Sequence, residues 1–182
     1  MKSFQVHPAD PELQKLIRAE TPKFEATYSH GLDGCVEVLT EEHRAILDLF
    51  HDRMGRRIIN LIEGERISSE RQFCTQTKSI GPLRAKGRIT VPPSSVAIFI
   101  PLKFPIIGEG PADEDVLTED RKAAEVSWQK GEDRTPIIWQ IESPFHLVSD
   151  AFLAVERTNI RCLVQVHCFS RQQTLPLESH SS

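Results

Sequence analysis

The residues whose types and spacing can do chemistry in this chain are mostly charges. Between Arg71 and Phe104 stand six cations, Arg71, Lys78, Arg84, Lys86, Arg88 and Lys103, and no acid. Gly108 to Asp133 then holds nine acids against three cations, a net of −6. A basic stretch of this kind can meet a phosphate-rich surface, either RNA or anionic lipid. It can also meet the acidic stretch, in its own molecule or in a neighbour. Lys78, Arg84, Lys86, Arg88 and Lys103 are therefore the expected anionic-surface residues, and Glu114, Asp115, Glu119 and Asp120 the expected acidic contact. The plainer reading is an ordinary solvated sheet face. Base stacking has little support, because only Phe73, Phe99 and Phe104 fall among the cations.

Patterns that carry catalysis are missing. Nucleotide binding needs a glycine-rich turn leading into a helix; Gly81–Arg88 has glycines and cations but joins strands. No Gly-x-Ser-x-Gly elbow occurs. A small hydrolase using Cys168 or Cys74 is imaginable, with His146, His167 and Asp150 nearby in the sequence. Strand geometry opposes it, since adjacent His167 and Cys168 point to opposite faces. The plain reading makes His167 solvent-facing and Cys168 a core residue. Zinc needs four closely placed N or S ligands. Cys162 and Cys168 share a strand face but lie roughly 20 Å apart along it. We expect no catalytic, cofactor-binding or metal-binding residues, hence a non-enzymatic protein without a cofactor or small-molecule substrate.

The elements that position these charges are helices first, then strands. Asp10 and Pro11 suit a helix start, with Leu13, Leu16 and Ile17 on one face, and Thr21-Pro22 stops it. Thr40 caps a second helix with Glu41 and Glu42 in its first turn. Its apolar stripe is Ile46, Leu49, Phe50, Met54, Ile58, Leu61 and Ile62. Arg53, Arg56 and Arg57 lie off that stripe; Gly55 allows a bend, and Gly64 is a plausible stop. Strands are expected at Phe24–Tyr28, Phe73–Lys78, Arg88–Val91 and Val96–Phe104, with turns at Gly81-Pro82 and Lys86-Gly87. Val96–Ile100 is apolar on both faces, as a strand covered on two sides would be. Leu117–Trp128 holds a short helix or a strand near Val126–Trp128. Further strands are expected at Ile137–Ile141, Phe152–Glu156 and Ile160–Cys168, with turns at Ser143-Pro144 and Thr158-Asn159. In the last strand Arg161, Leu163, Gln165 and His167 form the face opposite the core.

The chain has 182 residues and 39% apolar content, enough for one core. Its net charge of −4 excludes a wholesale cationic coat. No apolar run reaches the ~18 residues of a membrane span, and the N-terminus has no apolar signal region, so a chain that is not secreted is expected. The four cysteines form no Cys-x-x-Cys pair, which fits a reducing compartment. The expected organisation is one α+β domain over residues 1–169 and a disordered tail over 170–182. N-terminal helices would pack on a mostly antiparallel β-sheet or sandwich in the second half.

In order and character, the segments VAIFIPLKFPIIGEG, EVSWQKGEDRTPIIWQI and NIRCLVQVHCF resemble the core of rhabdovirus matrix proteins. That resemblance implies a structural virion protein that self-associates. It would bridge nucleocapsid or RNA and peripheral membrane, in the host cytoplasm or nucleus. The chain departs from that family at Pro92-Pro93, which is followed by Ser94, so the Pro-Pro-x-Tyr motif is not formed there. The run from Ile137 to Phe169 also resembles the later strands of plant-virus movement proteins. This second resemblance implies binding of single-stranded nucleic acid.

Overall fold

Asp10 caps the first helix as its place before Pro11 predicts: its carboxylate accepts from the N–H groups of Glu12 and Leu13, each at 3.0 Å. That is helix α1 (Pro11–Ala19). Thr40 caps α2 (Glu41–Phe50) in a capping box, its hydroxyl accepting from His43 N–H while the His43 ring accepts from Thr40 N–H. A π-helical turn, His51–Gly55, joins α2 to α3 (Arg56–Glu70). The computed structural model describes residues 4–8, 10–21, 26–28, 34–102, 126–137, 143–149 and 151–171.

The π turn has a physical reason. Ile46, Phe50, Met54, Ile58, Ile62 and Arg66 are buried or half-buried at intervals of four. A helix of 3.6 residues per turn drifts off such a row. One wider turn absorbs the drift and returns α3 to the sheet. Gly55 makes room for it: a Cβ there would lie 3.2 Å from the Phe50 ring. The expected stop at Gly64 is corrected, because the helix runs on to Glu70. The expected stripe is corrected too. Leu61, off the four-residue row, is half exposed at 50%.

The strands are β1 (Phe4–Val6), β2 (Ala26–Tyr28), β3 (Gly34–Glu37), β4 (Gln72–Thr90), β5 (Ser95–Pro101), β6 (Val126–Lys130), β7 (Asp133–Pro136), β8 (Phe145–Val148) and β9 (Phe152–Arg171). Their order is β1-β8-β5-β9-β4-β3-β2, with β6 between β9 and β7. Every described pairing is antiparallel. This is the expected α+β fold, with its helices in the N-terminal half.

Two long strands organise the molecule. β4 has 19 residues and β9 has 20, paired along their lengths. The expected turns at Gly81-Pro82, Lys86-Gly87 and Thr158-Asn159 do not interrupt them. The β4–β9 ladder shifts register between Cys74 and Gln76, between Ile80 and Leu83 and between Ala85 and Gly87; Gly81-Pro82 marks a bulge of β4, whereas the extra residues opposite Gly87 belong to β9. The first part of β9 also pairs β6, and the second part pairs β5. The network thus folds into two antiparallel layers. Their shared core holds Phe99, Phe145, Leu147 and Val164 against Ile89, Val126, Leu153 and Val155. Phe4 of β1 stacks on Trp128 of β6 at 5.9 Å.

The helices cover the outer side of β5 and the second part of β9. Leu13, Ile17, Ile46, Phe50, Ile58 and Ile62 pack on Val96, Ile98, Ile100 and Leu163. β5 is therefore buried at all its positions, as its two-faced apolar run predicts. The face of β9 opposite the shared core is corrected. Arg161, Leu163, Gln165 and His167 do not face solvent; the helices cover them, and all are buried.

Gly81 sits where β3 leaves β4, and a Cβ there would lie 2.9 Å from the Glu37 carbonyl oxygen. Gly81→Ala must push β3 away. We expect a loss of roughly 1–3 kcal/mol in urea unfolding. An unchanged midpoint would show that β3 moves freely.

Candidate interaction surface on the long strand

The placement of Lys78 and Arg84 follows from the β4 bulge at Gly81-Pro82. Lys78 pairs with Val166, whose side chain lies in the shared core layer. Its own side chain is exposed on that same side of the strand. The shift after Ile80 reverses the alternation, so that Arg84 pairs with Arg161 on the helix side. Arg84 is partly buried there, 3.9 Å from Glu37. Beyond the second shift Arg88 is exposed, its guanidinium 3.6 Å above the Phe152 ring. Lys86 belongs to β4 between these two. Lys78 and Arg88 therefore sit in solvent, while Arg84 is drawn into an ion cluster. Lys103, Glu114, Asp115, Glu119 and Asp120 lie outside the described residues.

That ion cluster is the main feature that sequence reasoning missed. Arg161 has a fully buried side chain. Its Nε donates to both Glu37 carboxylate oxygens at 3.1 and 2.9 Å. Its Nη1 and Nη2 donate to the two Glu20 oxygens, each at 2.9 Å. His43 Nε2 adds a donor to Glu20 at 3.0 Å. Its Nδ1 is committed as acceptor to the Thr40 N–H, so the ring's proton sits on Nε2. Burial pushes the Glu20 carboxyl up, but the bonds from His43 and Arg161 outweigh it and hold the group below its ordinary range. Burial likewise works against the charge on Arg161, and its bonds to Glu20 and Glu37 raise its pKa nonetheless. The cluster ties the end of α1, the end of β3 and the start of α2 to β9. An arginine within an apolar alternation was the signal available.

A second missed group is the histidine pair under β1. His7 Nε2 lies 3.0 Å from His146 Nδ1, and both residues are buried. Burial lowers the His7 pKa to about 4, helped by His146 and by Arg57. His7 also borders a cleft of about 630 Å³ between β1 and α3, with Gln5, Arg53, Met54, Arg57 and Leu61 on its walls. Arg53 is held by Glu12 at 2.6 Å.

Among the described residues no histidine bonds Cys74, Cys162 or Cys168. The His167 ring bonds the Thr77 hydroxyl at 2.9 Å on the helix side, whereas Cys168 packs against the shared core. Cys162 is buried, which pushes its thiol up, with Arg161 opposing. Among the described residues no group of three His, Cys, Asp or Glu could hold a metal ion. No described helix is long and apolar enough to cross a membrane.

The edge of β4 completes the surface. Among the described residues β3 covers β4 only at Leu83–Ala85, and Thr75 to Ile80 are exposed. Neither a protein-family model nor a curated protein sequence matches the chain.

Proposed function

We propose that the chain is a matrix-like structural protein without catalytic activity. It self-associates and bridges a nucleocapsid and a membrane surface, with cations of the long strand as its contact to anionic groups. The observation that supports this reading is β4 itself. One 19-residue strand carries exposed Lys78 and Arg88, and an exposed edge lies between its bulges. Cations so placed attract anionic lipid or a phosphate backbone at about 1 kcal/mol each near a membrane surface.

The test is charge reversal at the two exposed positions, since Arg84 also serves the buried cluster. Lys78→Glu with Arg88→Glu should lower binding to phosphatidylserine vesicles, and to nucleocapsid, by about tenfold or more at moderate salt. The fold, read by circular dichroism, should not change. Binding unchanged at both low and moderate salt removes the assignment. Tight, cooperative binding of unstructured RNA without vesicle binding would favour the movement-protein reading instead.

A further inference from the structure

We propose that the β4 edge between Thr75 and Ile80 pairs antiparallel with the same edge of a second copy, in a twofold register centred on Thr77. The inference rests on the self-associating reading above and names its contact.

The direction of each backbone group follows from the ladder. Phe169 N–H donates to Ser94 C=O at 2.8 Å, and Arg161 C=O accepts from Leu102 N–H at 2.9 Å. The odd-numbered residues of this part of β9 thus face β5, and the even-numbered ones face β4. Gln76, Lys78 and Ile80 pair with Cys168, Val166 and Val164, so their backbone groups point into the sheet. Thr77 and Ser79 must point theirs outward. Cys74 also points outward, and its N–H is taken by the Glu63 carboxylate at 3.3 Å. At the other end Pro82 has no N–H, and Glu37 crowds Gly81. Among the described residues this edge is unpaired and bounded on both sides. That favours a closed pair over an open-ended stack.

Self-pairing needs outward residues opposite outward residues, and Thr77 and Ser79 meet themselves or one another only when the twofold passes through Thr77, Lys78 or Ser79. Centring on Lys78 sets two lysines face to face, a repulsive cross-strand pair. Centring on Ser79 drives the second strand over Gly81, where β3 already lies against β4. Centring on Thr77 sets Lys78 opposite Gln76, and Ser79 opposite Thr75, the extra residue of the register shift between Cys74 and Gln76. The two Thr77 residues then exchange their own N–H and C=O groups. Lys78 thus selects one register while guarding the edge against others.

The experiment is sedimentation velocity on the full chain across a concentration series, with two variants. Ser79→Pro deletes one outward N–H and leaves the β9 ladder intact, because proline is tolerated on an edge. A folded Ser79→Pro should dimerise at least tenfold more weakly than the wild type. Thr77→Cys should form a disulfide-linked dimer on mild oxidation, since residues in such a pair lie about 5.5 Å apart, within disulfide reach. Ser68→Cys, exposed on α3, sets the background. This second variant keeps the idea testable should proline disturb folding. The edge is overturned, with self-association intact, if a folded Ser79→Pro associates as well as the wild type. Thr77→Cys cross-linking no better than Ser68→Cys also overturns it. A wild type that stays monomeric throughout overturns both the edge and the self-associating reading.

Discussion

Arg161→Ala is expected to cost roughly 3–5 kcal/mol of folding stability, the range for breaking a buried pair from one side. Arg161 is the shared donor for Glu20 and Glu37, which are buried with it. Without it, among the described residues, Glu20 keeps the His43 donor at 3.0 Å and Glu37 keeps Arg84 at 3.9 Å. A domain of this size has about 5–15 kcal/mol of stability in all, so the variant should be largely unfolded at modest urea. Arg161→Lys should not rescue it, since one ammonium cannot present two forks to two carboxylates. Arg161→Met combined with Glu20→Gln and Glu37→Gln should recover much of the loss, because no buried charge is then left uncompensated. Urea midpoints of the three variants decide this. A single Arg161→Ala within 1 kcal/mol of wild type would mean that water reaches the carboxylates.

What could be read in the sequence was local. Asp10, Pro11 and Thr40 mark helix starts through caps that form within three residues, and the structure has them. The Val96–Ile100 run identifies a doubly covered strand from composition alone. What failed was long-range. Period-two alternation in Ile160–Cys168 shows that two faces differ, yet it cannot say that helices bury the more polar one. Arg161 reads as solvated because its partners lie 141 and 124 residues away. The breaks placed at Gly81-Pro82 and Lys86-Gly87 failed differently. Glycine and proline mark turns and bulges alike, and a partner strand as long as β9 is what turns them into bulges. The bulge at Gly81-Pro82 explains why Lys78 and Arg84, close in sequence, do not lie on one face. The extra residue between Ile80 and Leu83 reverses which side of β4 the next side chain occupies, so Arg84 serves the interior while Lys78 reaches solvent; Arg88 keeps the side of Arg84 but lies beyond the ion cluster, over Phe152.

Acid should unfold this protein well above the usual carboxylate range. His7 and His167 both have their pKa lowered from 6.5 to about 4. For His7 the causes are burial, then His146 and Arg57; for His167 they are burial, then His51. Each is neutral in the fold at pH 5, and each binds a proton once the chain opens. Between about pH 6.5 and 4 the unfolded state holds more protons, so stability rises with pH across that window. Their contribution is fully present above pH 6.5 and falls away as the pH drops towards 4, by up to about 3 kcal/mol per histidine. Glu20 acts in the same direction lower down. Its depressed pKa makes its contribution complete above the ordinary 4.5 and lost below it. Geometry supports the histidine part. The His167 Nε2 is buried with no hydrogen-bond partner among the described residues, so a proton placed there would go unsolvated. Urea unfolding at intervals from pH 7.5 to 4.5 should give a slope of about two protons near pH 5. His7→Gln or His167→Gln should each reduce that slope by about one proton, even if it lowers stability at pH 7.5. A flat profile from pH 7 to 5 would mean that both rings reach solvent when they charge, and that β1 and the helix layer open locally before the sheet does.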